Sequence, residues 1–539
     1  MKLTNASLKD TAFWQKANIA LPSFDREKMI AATKASPKWV HFGAGNIFRA
    51  FPAAMMQQLL EQGLETTGIV VAEGYDGEII DKSFTAFDNL TILVTLKSDG
   101  TTEKSIIASI ASAMRMDTEL AALKEIFTSP SLQMASFTIT EKGYSLKGRD
   151  GSFFPELAED LKTGPASPKS YLGRIASLLH ERYAKGANSG SLLPIAMVSM
   201  DNCSHNGDIL FAAMDAIAAA WAENGVCDKG FLNYIRDKNK VSFPWSMIDK
   251  ITPRPDDSVR DMLVSCGLED MQGTVTSKNT YVAPFVNAEE TQYLIIEDLF
   301  PNGKPALDKA GVMFTNKETV DRVEKMKVCT CLNPLHTSLA VFGCLLGYTR
   351  ISEEMKDADL VKLIEGVGYI EGLPVVTDPG IIKPKDFIDQ VIKVRLPNPF
   401  MPDAPQRIAM DTSLKIPIRF GETLKAYKES GKGCANLKLI PLVIAGWLRY
   451  LIGINDEGQP FELSPDPNLE TLKNALSGIS LGQTGSFHNK LEPILSNSAY
   501  FAVNLYEAGL GEKIEGLFTQ MLAGPGAVRK TLALSVKID

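Results

Sequence analysis

Histidine is scarce in this chain, with five among 539 residues, and cysteine is thin, with seven. An odd, scattered set of cysteines argues against a disulfide framework. Structural zinc sites usually pair two Cys/His clusters. Here Cys329, Cys331 and His336 fall together with no second cluster nearby, while His180, His205 and His488 stand singly. No metal is therefore expected, and the two neighbouring cysteines read as small core residues. Long apolar runs are missing too. The most apolar later stretch, LIPLVIAGWL between Lys438 and Arg449, is too short to span a bilayer and reads as a buried helix. The first residues carry no basic segment followed by an apolar one, so no signal peptide is expected. Nor is there an excess of positive charge. Lys+Arg number 56 against 64 Asp+Glu, a net charge of -8, which disfavours nucleic acid and anionic membranes as partners. A cytoplasmic protein is expected.

What is present is the balance of a globular chain, 45% hydrophobic and 22% charged, and long enough for more than one domain. Trp39 to Phe42 reads as a short strand, followed by a glycine turn and an amphipathic helical pattern. Residues 65–76 supply a second strand ending in an acid. SIIASIASAM, residues 133–144 and residues 191–202 read as further strands, with helical patterns between. This alternation predicts β/α units on a largely parallel sheet. Residues 281–298 hold the last clear strand pattern, and beyond about residue 300 the signal is mainly helical. The expected division is 1–295, a Rossmann-type α/β domain, and 296–539, a mainly α-helical one.

GAGNIFRA, residues 43–50, sits between predicted strand and predicted helix, as a dinucleotide fingerprint requires. Gly43 suits the tight turn, and Gly45 lets the backbone approach a pyrophosphate at the helix N-terminus. Phe48 stands where G-x-G-x-x-G has its third glycine, so an ordinary βα turn is an equal reading of this stretch alone. Glu73, closing the second strand, shifts the balance. A carboxylate there can accept from an adenosine ribose and repel a 2′-phosphate, favouring NAD over NADP. Asp76 competes for that role.

KMKVCTCLNPLHTSLA, residues 325–340, gathers Lys327, Asn333 and His336. Asn333 and His336 share a face if helical, and Pro334 suits the first helical position with Asn333 as N-cap. Burial disfavours the charged form of a lysine and makes it a usable general acid/base. An asparagine N–H can stabilise a developing alkoxide, and a histidine can orient the substrate oxygen. Taken singly, each also reads as a solvated lysine or a helix cap.

Several long motifs occur in one order. They are Gly43-Ala-Gly-Asn-Ile-Phe-Arg49-Ala-Phe51, TEKGY at 140–144, Ser199-Met-Asp-Asn-Cys-Ser-His-Asn206-Gly207, and FPWSMIDKITP at 243–253. In these the chain resembles the polyol-specific long-chain dehydrogenases, the mannitol dehydrogenase family, over most of its length. The family's signature K-x4-N-x2-H is matched at Asn333 and His336. Lys327, however, lies one residue too far upstream, with Val328 at the family's lysine position. Glu324 matches the glutamate three before that lysine, and a helical bulge would absorb the extra residue.

The resemblance implies a metal-free, NAD-dependent dehydrogenase with its active site between the two domains. Lys327 would be the general acid/base, Asn202 and Asn333 the oxyanion hole, and His336 a further catalytic residue. Gly43, Ala44, Gly45, Asn46, Arg49, Glu73, Thr140 and Glu141 would bind cofactor, and Asp249, Arg407 and Lys415 would contact substrate. One arginine and one lysine suit a sugar acid, since arginine grips a carboxylate in bidentate fashion. MDNCSHNG, FPWSMIDKITPRP and CLNPLHTSLAVFGC are most similar to the family's hexuronate-reducing branch. Fructuronate is the expected substrate, with tagaturonate or fructose as alternatives. The expected partner is a small keto-sugar acid or polyol, and the expected assembly a monomer or small homo-oligomer. A zinc-dependent dehydrogenase, or a nucleotide-binding protein that lost catalysis through the lysine offset, are the other readings.

Overall fold

Six short strands, rich in Val, Ile, Ala and Met, form the central sheet. They are β1 (Trp39–Phe42), β2 (Ile69–Glu73), β3 (Ile110–Arg115), β4 (Met134–Phe137), β5 (Ile195–Ser199) and β6 (Val241–Ser242). In this computed structural model, which describes residues 1–483 and 485–537, every pairing among them is parallel. Their order is β3-β2-β1-β4-β5-β6, that of doubly wound dinucleotide-binding folds. Both faces are covered, so the strands read as continuous apolar runs. Trp39, Ile69, Val71, Met134 and Val198 join one core, while Val40, Phe42, Val70, Phe137 and Met197 join the other. The strand order reverses between β1 and β4, and ligands of open α/β sheets bind at that switch point.

Among the described residues three smaller sheets accompany it, one of them the two-stranded pairing of Thr274–Val275 with Tyr281–Val282. Strand Thr91–Leu96 pairs antiparallel with Thr102–Ile107 and parallel with Phe285–Glu289. Strand Tyr293–Glu297 pairs antiparallel with Ser246–Asp249 and parallel with Met313–Thr315. The chain divides into two compact units. One holds Met1–Leu96 and Thr101–Asp321, and the other holds Lys97–Gly100 and Arg322–Asp539. The change thus falls at 321/322 rather than at 295/296. The three residues of Met313–Thr315, too few to show periodicity, still pair with Tyr293–Glu297 and belong with the first unit.

The second unit is built on helices. Helices α1 (Asn46–Ala50) and α2 (Asn206–Glu223) belong to the first unit, and α3 (Lys317–Met326) carries the change of unit. In the second, α4 (Asn333–Leu346) packs beside α5 (Leu439–Tyr450), the stretch read from sequence as buried, and every residue of α5 is buried. They approach closely. A Cβ on Gly446 would sit 3.0 Å from the Phe342 ring. The N-terminal amides of α5 would be orphans in this core. The Glu371 carboxylate accepts all three, from Lys438, Leu439 and Ile440. Residues 317–346 are long and apolar enough to cross a membrane by composition, but 72% of the qualifying window is buried within the protein. Among the described residues four π-helical turns interrupt the helices, at Lys327–Cys331, Gly366–Gly372, Val391–Arg395 and Pro417–Gly421.

Candidate active site

At the switch point the two strand ends meet backbone to backbone. Gly43 has φ 105°, and a Cβ there would lie 2.2 Å from the Thr138 carbonyl oxygen, so only glycine fits. Gly45 is the N-cap of α1 and Asn46 its first residue, with the exposed amides of a helix start. Glu73 closes β2, and its carboxylate holds the turn in shape. Oε2 accepts from Ala44 N at 2.9 Å, and Oε1 accepts from Tyr75 N at 2.7 Å and Asp76 N at 3.1 Å. The competitor Asp76 is turned away, only 1% exposed and accepting from Thr276 Oγ1 at 2.6 Å. Of the two acids, Glu73 is the one on the glycine turn.

Arg49 is buried beneath that turn. It donates to the Ala283 carbonyl at 2.8 Å, to Thr91 Oγ1 at 3.3 Å and to Asn46 Oδ1 at 2.9 Å. Burial lowers its pKa to about 9. Its hydrogen bonds tie α1 to the neighbouring sheet and orient Asn46. Phe48 and Phe51 are core residues, Phe48 stacked on His41 at 4.3 Å.

At the far ends of β4 and β5, Thr140 and Glu141 are exposed, and Asn202 is exposed directly after the buried Asp201. Asn206 joins two of the sequence motifs. Its Nδ2 donates to the Asp201 carbonyl at 3.0 Å and to Ser246 Oγ at 3.0 Å, and its Oδ1 accepts from Ser246 N at 2.9 Å. Asp249, 7% exposed, ends the strand that begins at Ser246. Asn202 and Asp249 are therefore carried by elements stapled to one another.

In the second unit Lys327, 5% exposed, opens a π-turn closed by Leu332 N donating to the Lys327 carbonyl, five residues back, at 3.0 Å. A π-turn holds one residue more than an α-turn. The turn lies where this chain has one residue more than the K-x4-N spacing. Asn333 does not cap α4 as expected. Leu332 is the cap residue, without a side-chain cap bond, and Asn333 and Pro334 take the first two helical positions. Asn333 and His336 do share the first turn of α4.

His336 lies among charges that the sequence reading only partly named. Its Nε2 is 3.5 Å from Asp403 Oδ2 and makes no hydrogen bond. Desolvation first, then Arg419, Arg407 and Arg395, lower its pKa to about 4 against the pull of Asp403. The imidazole is neutral at pH 7, and its buried Nε2 is left without a hydrogen-bond partner. Arg407 pairs with Asp403 one turn earlier. Lys415 donates to the carbonyls of Ile408 and Met410, and desolvation, then Arg419, lowers its pKa. Arg419 donates to Thr337 Oγ1 at 2.6 Å, beside His336. Arg395 and Arg419 were missed. The signal for Arg419 was its i+4 spacing from Lys415, and Arg395 carried none. Among the described residues no group of His, Cys, Asp or Glu is placed to hold a metal ion, and all seven cysteines are free.

Comparison with known proteins agrees with this layout. The family model described as the mannitol dehydrogenase Rossmann domain matches residues 37–309, and that of the mannitol dehydrogenase C-terminal domain matches residues 319–520. The chain belongs to the mannitol dehydrogenase family. It is 54% identical to a D-mannonate oxidoreductase of Thermotoga maritima over 99% of this chain and 98% of the relative. A D-mannonate oxidoreductase of Escherichia coli is 27% identical over 90% of this chain and 92% of the relative. Among solved structures, a Pseudomonas fluorescens mannitol 2-dehydrogenase in ternary complex with NAD and D-mannitol aligns with a TM-score of 0.69 at 25% identity, covering 100% of both chains. A substrate-free D-sorbitol dehydrogenase gives 0.80 at 24% identity over 99% of this chain and 100% of that chain, a likeness of fold.

Proposed function

We propose that the protein is an NAD-dependent D-mannonate oxidoreductase, interconverting D-fructuronate and D-mannonate. The observation that carries this reading is the 54% identity to a D-mannonate oxidoreductase along nearly the whole of both chains. The site supports it. A sugar acid brings a carboxylate, and Arg395, Arg407 and Arg419 stand near His336, with Lys415 near Arg407 and Arg419. The glycine turn at Gly43–Gly45 and the start of α1 would hold NADH, which would supply a hydride to a ketone carbon. Lys327 gives a proton to the resulting oxygen, and Asn202 and Asn333 donate to it as its charge develops. His336 hydrogen-bonds a substrate hydroxyl through Nε2, and Asp249 accepts from another. Arg407 and Lys415 hold the carboxylate end. Thr140 and Glu141 would hold the nicotinamide half of the cofactor, and Gly45, Ala44 and Asn46 its pyrophosphate. We assign the protein to the cytoplasm, acting on a small molecule and on neither nucleic acid nor membrane, as a monomer or small homo-oligomer.

NADH oxidation by chelator-treated protein tests the reading, with fructuronate, tagaturonate and fructose compared side by side. Turnover of fructuronate at least tenfold above the other two is the expected result. Preference for tagaturonate or fructose would move the protein to another branch of the family. Activity lost to the chelator and restored by zinc would replace the lysine with a metal.

A further inference from the structure

Thr140 is a β-branched residue in left-handed backbone, φ 64°, a conformation such side chains adopt only when their surroundings impose it. What imposes it is Asp201. Its Oδ1 accepts from Thr140 N at 2.9 Å and its Oδ2 from Ile139 N at 2.9 Å. Tyr144 Oη donates to Oδ2 at 2.6 Å and is itself 2.7 Å from Ser199 Oγ, so the carboxylate is fixed from behind as well. Asp201 is only 9% exposed. A carboxylate so buried is tolerable because three donors meet it. An amide of the same shape could not replace it, having one acceptor oxygen for two N–H groups.

The two clamped amides begin the turn that leaves β4 beside the switch point, where a dinucleotide crosses the sheet. The next residue after Asp201 is Asn202. We propose that Asp201 is a positioning residue for cofactor binding. It holds the Thr140–Glu141 turn in the shape that receives NADH and sets the start of the loop that carries Asn202. The inference rests on the NAD reading above, but not on the identity of the sugar.

Full-length Asp201→Asn decides it, with NADH affinity measured by fluorescence titration, kcat with fructuronate, and the melting temperature. The expected loss of NADH affinity is on the order of tenfold, the size of one charge-assisted hydrogen bond. Adding Thr140→Gly to that variant should recover most of the loss, since glycine takes the left-handed turn without a clamp. A residue acting only through global stability would not be rescued in this way. NADH affinity within twofold of the parent, or a loss that Thr140→Gly leaves in place, overturns the proposal. If Asp201→Asn does not fold, Tyr144→Phe removes one bond to the same carboxylate. A few-fold loss of NADH affinity then supports the role, and no loss overturns it. Should the parent bind NADH yet reduce none of the three keto-sugars, the substrate assignment fails while the affinity comparison still stands.

Discussion

Two buried ionisable residues of the second unit sit in opposite situations. Lys327 is 5% exposed at the head of the π-turn and is the proton carrier proposed here. Lys327→Met should lower kcat by roughly 10²–10⁴-fold, the usual share of a general acid/base. NADH affinity should stay within twofold, and pre-steady-state hydride transfer read at 340 nm would locate the lost step. Glu354 is 0% exposed, and neither of its carboxyl oxygens has a hydrogen-bond partner. It lies against α4 at Gly343, whose missing Cβ makes room for it. Burial pushes its pKa from 4.5 up to about 9, so the folded protein keeps it protonated where the unfolded chain would release the proton. Stability is therefore undiminished below the unfolded value, falls as pH rises between 4.5 and about 9, and is level above that. At about 1.4 kcal/mol per pH unit the loss is roughly 3 kcal/mol by pH 7. Glu354→Gln, neutral at every pH, should raise the melting temperature at pH 8 and leave it nearly unchanged at pH 5. An equal change at both would show that the carboxyl is not held neutral.

The π-turn at Lys327–Cys331 shows what a sequence can and cannot disclose about elements. The parallel strands were legible. Trp39–Phe42 appears where it was read, and Glu73 closes the second strand as expected. Those strands are covered on both faces, which makes their composition unambiguous. Helix ends were less legible. Pro334 tolerates either of the first helical positions, so it could not fix whether Asn333 lay before the helix or within it. The extra residue near Lys327 looked like a broken motif because periodicity counts in α-turns, and a five-residue turn leaves no mark on composition. The clamp of Asp201 on residues 139–140 joins positions 62 and 61 apart in sequence, which no local pattern announces. Arg49 entered the cofactor set through the motif it belongs to, and its partners Thr91 and Ala283, which come from far along the chain, were not legible there. The turn also yields a prediction. Deleting Val328 should let it close as an α-turn with Lys327 still facing as before, and retain activity within about tenfold. Deleting Ala340, inside the buried α4, should prevent folding, since every later side chain of the helix would rotate by about 100°. Circular dichroism and the NADH assay separate the two results.

For the whole chain, division into two compact units places the dinucleotide fold in residues through Asp321. Ligand bound to the native state alone stabilises it by mass action. NADH at a hundred times its Kd should thus add about 2.7 kcal/mol, a rise of a few degrees in melting temperature. No shift at saturating NADH would count against the cofactor assignment. The contact at Gly43, whose added Cβ would strike the Thr138 carbonyl, bears on how this enzyme could be re-engineered. Main chain touches main chain there, with no side chain in between to exchange. Mutational libraries aimed at new cofactor chemistry will find that position closed, and, if Glu73 is the ribose contact proposed for it, selection for a phosphorylated dinucleotide would have to work through that carboxylate. Because Glu73 also carries the amides of Ala44, Tyr75 and Asp76, altering it frees three backbone donors at once. A successful switch of coenzyme should therefore arrive as a compound genotype, in which one change removes the negative charge and others re-anchor the loop.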